Sequence, residues 1–181
     1  QLMRGYRYIL VDEYQDIDDL QYRLVSALAG RKAEEEGRLC ILAVGDDDQN
    51  IYSWRDANNL YIERFREDYS AANAYLIDNY RSTGQIIDAA NRVIARNPER
   101  LKQDHPIQIN AARRDQPKGG EWESLDSERA GRVLRLRIEG EEDALANLQA
   151  QAVMAELQRL LSLNSEEWQG CAVLARTHQY L

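Results

Sequence analysis

With 181 residues, 44% hydrophobic and 30% charged, the chain has the composition of one globular domain or two small ones. No apolar run approaches the ~20 residues that a membrane-spanning helix needs. The net charge of −8 argues against a broad basic face that coats nucleic acid, and leaves room only for a narrow groove of stacking rings and a few arginines.

The chain starts at Gln1 and enters an apolar run almost at once, so its N-terminus reads as a cut inside a longer chain. Tyr6 to Val11 predict a buried strand, which ends in two carboxylates, Asp12 and Glu13. Asp18 is placed to N-cap a helix carrying Leu20, Leu24 and Leu28 on one stripe and stopped by Gly30. A charged loop, RKAEEEG, separates this helix from a second buried strand, Leu39 to Val44, which runs into Gly45 and three aspartates. A third strand, Ala74 to Ile77, runs into Asp78-Asn79-Tyr80-Arg81. Ser82 and Gln85 have capping-box spacing ahead of a helix with Ile86, Ile87, Ala90, Val93 and Ile94 on one face, ended by Asn97-Pro98.

From Pro98 to Gly131 the sequence is polar and irregular, a long connection with room for short structure inside it. Beyond it come a strand over Val133 to Ile138, a helix over Glu141 to Leu163 packing through Leu145, Leu148, Ala152 and Ala155, and a strand over Cys171 to Ala175. Strand and helix alternate throughout, the pattern of an α/β fold with a mainly parallel sheet. Cys40 and Cys171 sit in apolar runs and are expected to be small core residues. With only His105 and His178 beside them, no spacing supports a disulfide framework or a metal site on these four.

Three clusters fall at the C-terminal ends of predicted strands, where open α/β sheets bind ligands. Asp12 and Glu13 alternate in direction, so one can hold a divalent cation while the other reaches a water; a helix-start acidic cluster explains the pair equally well. In the second cluster Gln49 can sense a phosphate or its attacking water, and Tyr52, Trp54 and Arg55 suit base stacking and anion pairing. A core tryptophan beside a salt-bridged surface arginine explains the same residues. In the third, Tyr80 can stack on a purine and Arg81 can read a phosphate, or the segment is simply a capped helix start with a surface arginine.

Together, VDEYQD, VGDDDQNIYSWR and NYRST, beginning at residues 11, 44 and 79, closely resemble motifs II, III and IV of the UvrD/Rep/PcrA branch of superfamily 1 DNA helicases. The resemblance is dense over Tyr6 to Asn97 and thin beyond Ile109. It implies a RecA-like P-loop NTPase parallel sheet, incomplete here. Residues 1–78 would be the C-terminal half of the first RecA-like ATPase domain, and 79–181 the N-terminal part of the second. It implies ATP and Mg²⁺ as cofactors, with Asp12 holding the metal, Glu13 as general base, and Gln49 and Arg81 completing the catalytic set. Tyr80, Arg81, Gln49 and Gln15 would surround the nucleotide. Tyr52 and Trp54 would stack on single-stranded bases, with Arg55 coupling the two sites.

The activity implied is ATP-driven translocation along single-stranded DNA and duplex unwinding, 3′ to 5′ in this family, in the cytoplasm and in DNA repair. The implied partners are single-stranded DNA, duplex junctions and the remaining domains of the parent helicase, with no membrane. The CAVLAR run resembles the second domain's approach to a later motif, with Arg176 and Thr177 in loose correspondence. Asp56 stands where the family usually has Gly, which puts the DNA-facing turn in question; Asp78 replaces a commoner Gln or Glu.

The sequence contains no G-x-x-x-x-G-K-[ST] phosphate loop and none of the family's later motifs. Two rivals stay open on these residues: an interaction module whose ATPase motifs are relics, and part of a helicase–nuclease or fused repair helicase. Phosphoryl transfer depends almost entirely on positioning and charge neutralisation, and the lysine-bearing loop that cradles the phosphates is not among these residues. The 181-residue chain alone is therefore expected to bind Mg·ATP too weakly for calorimetry to detect and to release no phosphate above background. Stoichiometric binding with steady turnover would contradict this.

Overall fold

The computed structural model describes residues 5–30, 39–51, 59–163 and 170–175. The predicted RKAEEEG loop falls wholly outside them, as do Tyr52, Trp54, Arg55, Asp56, Arg176 and Thr177. The fold is mixed α/β with two small parallel sheets, and it divides into two compact units. The first unit takes residues 1–77 and 92–106, and the second takes 78–91 and 107–181.

In the first unit, β1 (Tyr8–Val11) pairs in parallel with β2 (Cys40–Ala43), Tyr8 opposite Cys40 and Val11 opposite Ala43. Parallel neighbours need a crossover, and α1 (Asp19–Ala29) lies within it. Its start is built as the sequence predicts. The Asp18 carboxylate accepts the Gln21 N–H at 2.8 Å, and the Gln21 side chain returns the bond to the Asp18 N–H at 3.1 Å. Gly30 ends the helix at φ 73°, left-handed backbone that costs glycine nothing.

The core of this unit is aromatic. Tyr14, Ile17, Tyr22, Tyr61 and Phe65 are buried together, with Val11, Val25, Ile41 and Ala43 against them. Helix α2 (Leu60–Tyr69) supplies Tyr61 and Phe65. Phe65 meets Tyr14 edge-on at 5.2 Å, a favoured quadrupole geometry, and Tyr22 packs on Tyr61 at 5.3 Å. The Tyr22 hydroxyl donates to Asp68 of α2. Burial drives the Tyr14 phenol well above its ordinary value.

Several sequence expectations are corrected here. The β1 and β2 strands are half-buried on one face only, with Leu10 75% exposed, because no second layer covers the other face among the described residues. Leu20, Leu24 and Leu28 are exposed: Tyr22, two residues from Leu20 and Leu24, turns the opposite side of α1 inward with Val25, Ser26 and Ala29. Cys40 and Cys171 are both exposed rather than core. Ala74 to Ile77 forms no ladder; the pairing begins only at β3 (Asp78–Asn79), opposite β4 (Gln108–Ile109). Val133 to Ile138 and Cys171 to Ala175 form no strand among the described residues, since a strand exists only where a second backbone offers its ladder.

In the second unit, α3 (Gly84–Ile94) begins without the Ser82–Gln85 box: the Gln85 N–H donates to the Lys118 carbonyl at 2.9 Å, and the Thr83 carbonyl takes Ile87 N–H. Ile87 alone of the predicted apolar face is buried, while Ile86 and Val93 are exposed. After the short α4 (Trp122–Leu125) comes α5 (Glu142–Leu163), close to the predicted span. Its expected stripe is only half-buried at Leu145, Leu148 and Ala152, and Ala155 is exposed. Charge holds it instead. Arg159 reaches the buried Asp126 at 2.9 Å and grips Glu156, which also pairs with Arg129. Burial would raise the Asp126 carboxyl, but Arg159 outweighs it and holds it below the ordinary value.

The segment after α3 returns to the first unit through its charges. Arg100 forks onto Asp48 with bonds of 2.8 and 2.7 Å, both side chains nearly buried at 6% and 11% exposure. Asp47 accepts the Leu101 N–H at 2.7 Å, Lys102 pairs with Asp46 and lies 3.3 Å from Asp48, and His105 stacks on Tyr75. Burial would raise the Asp46 carboxyl, yet Lys102 and Gln49 together hold it lowered. A carboxyl lowered by folding stabilises above its unfolded value, about 3.9, and loses that contribution as pH falls through its folded value. Acidification below about pH 4 should therefore remove this contribution and destabilise the first unit. Arg100→Ala should cost it about 2–3 kcal/mol at neutral pH, since Lys102 still faces Asp48 and softens the loss of a buried partner. Urea titrations followed through amide exchange at Tyr14 and Leu101 would check both, and an unchanged midpoint for Arg100→Ala would refute the ion-pair account.

Candidate active site

The two parallel strands release their chains side by side. Past the last ladder pair, Val44 N–H donates to the Val11 carbonyl at 2.8 Å, and the Val44 carbonyl accepts Tyr14 N–H at 2.9 Å. The acidic turn after β1 is thereby pressed against the acidic turn after β2. Gly45 makes the approach possible: a Cβ there would lie 2.9 Å from the Gln15 amide oxygen and 3.1 Å from the backbone nitrogens of Tyr14 and Gln15.

At the first turn the chain tightens into a 3-10 turn over Tyr14–Asp16, preceded by Glu13 in left-handed backbone at φ 50° and ψ 45°. A non-glycine residue pays about 1–2 kcal/mol to stand there. The carboxylate that results is exposed and tethered: its Oε2 accepts from Gln15 Nε2 at 2.7 Å. Gln15 itself is 2% exposed. Its Oε1 accepts the Asp46 N–H at 2.9 Å, and its backbone carbonyl accepts from Asn50 Nδ2 at 3.1 Å. Asp46 in turn accepts from Gln49 Nε2 at 2.8 Å and caps the Asp47–Gln49 turn through the Asp48 N–H. One hydrogen-bonded chain thus runs from Glu13 through Gln15 and Asp46 to Gln49.

The carboxylates sort into spent and free. Asp46, Asp47 and Asp48 are close enough together to share a cation, yet Lys102, the Leu101 N–H and Arg100 already occupy them. A cleft of about 1320 Å³ beside Arg100 is lined by Asp47, Asp48, Asn59 and Tyr61, and none of Asp12, Glu13 and Gln49 reaches it. Asp12 is different. It is exposed and accepts only the neighbouring Glu13 N–H, at 2.9 Å, among the described residues. Its remaining oxygen is a hard, unpaired donor, which fits Mg²⁺ where the three aspartates do not.

In the second unit, Asn79 organises the other cluster. Its Oδ1 accepts the Arg81 N–H at 2.9 Å and the Ser82 N–H at 2.7 Å, an Asx turn that presents the residues between. Tyr80 is 71% exposed, and the Arg81 side chain is exposed with no ion pair among the described residues. The structure therefore brings Asp12, Glu13, Gln15 and Gln49 together in one unit and sets Tyr80 and Arg81 on a turn of the other.

The reading of the sequence missed Gly45 and Asn79 as organisers. Asn ahead of a helix start was a usable signal for the turn. Nothing local in the sequence marked Arg100 and Lys102 as partners of residues 46–48.

Residues 1–70 match the family model of the UvrD/REP helicase N-terminal domain. Among similar proteins, DNA helicase II of Haemophilus influenzae is 43% identical over 53% of this chain and 12% of its own length. The ATP-dependent DNA helicase PcrA of Staphylococcus aureus is 49% identical over 52% of this chain and 12% of its length. The ATP-dependent DNA helicase Rep of Escherichia coli is 46% identical over 51% and 13%. The matches thus span about an eighth of the relatives' own length. No described helix is long and apolar enough to cross a membrane. Over its first 70 residues, which carry the Asp12–Glu13 and Asp46–Gln49 turns, the chain is similar to the N-terminal domain of the UvrD/Rep helicases.

Proposed function

We propose that the chain is part of an ATP-dependent DNA helicase and carries half of its hydrolytic site. The observation that supports this best is Glu13, held in unfavourable backbone at a strand end with one carboxylate oxygen tied and the other unbonded among the described residues. Strain kept at an exposed carboxylate suits a group placed for chemistry rather than for packing. On this reading the first unit belongs to one RecA-like domain and the second begins another, in a cytoplasmic protein that moves 3′ to 5′ on single-stranded DNA and opens duplex junctions.

The roles follow from what each side chain has left to give. Asp12 would hold Mg²⁺ with its unpaired oxygen, and Glu13 would take the proton of the attacking water at Oε1. Mg·ATP supplies the phosphoanhydride and a Lewis-acidic cation. Gln49, exposed at the end of the hydrogen-bonded chain, would face the terminal phosphate. Tyr80 would stack on the adenine, while Arg81 would neutralise charge developing on phosphate oxygens. Tyr52, Trp54 and Arg55 would meet the single strand.

In the complete helicase, Glu13→Gln is expected to keep Mg·ATP binding and to lower kcat about 10²-fold or more. Near-normal turnover would remove Glu13 as the base. Trp54→Ala is expected to weaken single-strand binding by about 1–3 kcal/mol while leaving basal hydrolysis without DNA almost unchanged. Loss of melting temperature together with both activities would make the indole a core residue instead.

A further inference from the structure

Among the described residues of the first unit, Gln15 is a buried polar side chain spent in two directions at once. Its carbonyl must face the Asp46 N–H, so its NH₂ must face Glu13; the amide has no alternative orientation that satisfies both. Asp46 has no slack either, since its carboxylate is shared among Lys102, Gln49 and the Asp48 N–H. Gly45 removes the side chain that would otherwise hold the two turns apart. A shift of the Asp46–Gln49 turn therefore moves the acceptor end of the Gln15 amide, and with it the donor end on Glu13.

We infer that Gln15 is a positioning residue, whose buried amide fixes the Glu13 carboxylate and couples its orientation to the backbone of the Asp46–Gln49 turn. Gln15 is then not a nucleotide contact. The inference deepens the reading of Glu13 as the general base and rests on it. The mechanism is displacement of one carboxylate, and a misplacement of about 1 Å can cost 10²-fold in rate.

The test uses the complete helicase with Gln15→Glu and Gln15→Met, each alone and each with Glu13→Gln. ATP turnover is measured with and without an oligothymidine strand, alongside melting temperature. Gln15→Glu keeps an acceptor for the Asp46 N–H but sets a carboxylate against Glu13. It should melt somewhat earlier, because it buries a second carboxylate, yet keep KM for Mg·ATP within about threefold and lower kcat about 10- to 100-fold. Gln15→Met loses both bonds and should lower kcat at least as much. In the Glu13→Gln background either substitution should cost less than about twofold more, since its route of action is gone.

Losses that simply multiply in the double variants would overturn the inference, as would a KM that rises in step with falling kcat or an early melt with all activities lost together. If Glu13→Gln is inactive while both Gln15 variants turn over normally, the positioning role alone fails. Normal turnover by Glu13→Gln overturns the assignment of the base and the inference with it.

Discussion

Val44 is bonded on both sides, its N–H to the Val11 carbonyl and its carbonyl to the Tyr14 N–H, and that double attachment sets the distance between the two acidic turns. Gly45 follows immediately, where no Cβ fits against the Gln15 amide and the backbone behind it. Had the turns stood one side chain further apart, Gln15 could not span from Glu13 to the Asp46 N–H, and Asp46 would hold neither Gln49 nor Lys102 where they are. The return of residues 98–102 onto the first unit hangs on the same place, because Asp47 and Asp48 are its anchors.

That dependence explains why the densest acidic cluster is not the free one. Three successive aspartates in a net-negative chain repel one another unless cations or N–H donors absorb them. Arg100, Lys102 and the Leu101 amide do so, and the bonds to Asp48 raise Arg100 above its ordinary value against the opposing effect of burial. The cost of burying these charges is met locally, and the cluster becomes a structural joint. Asp12 sits outside that arrangement, at a strand end and exposed, and among the described residues it accepts only the Glu13 N–H.

Local chemistry was legible in the sequence where it closes on itself. Asp18 with Gln21 three residues on, Gly30 at a left-handed helix end, and the long α5 all follow from neighbours along the chain. The motif turns after β1 and β2 were legible too, because strand, turn and acid lie within a few residues. Apolar runs were not. Leu20, Leu24 and Leu28, Val133 to Ile138 and Cys171 to Ala175 say what surface would profit from cover, but not whether another element stands there to cover it. The same limit hid Arg100 and Lys102, whose partners lie more than fifty residues back in the chain. Gln15 was grouped with the nucleotide contacts on resemblance, and only the folded geometry displays both ends of its amide engaged.

The aromatic core bears on the chemistry through a single residue. Tyr14 stands between Glu13 and Gln15 in sequence, and its ring is buried edge-on against Phe65 of α2. Three consecutive residues thus point to three environments: Glu13 to solvent, Tyr14 to the core, Gln15 to the seam between turns. With Tyr14 clamped, the chain on either side has few dihedrals left to adjust, and the left-handed backbone at Glu13 is what remains once the core and the seam are both satisfied. The strain at the carboxylate is then a consequence of packing at Phe65 and Tyr61 as much as of hydrogen bonding at Gln15. Helix α2, whose Phe65 packs on Tyr14, thus backs the turn that carries Glu13.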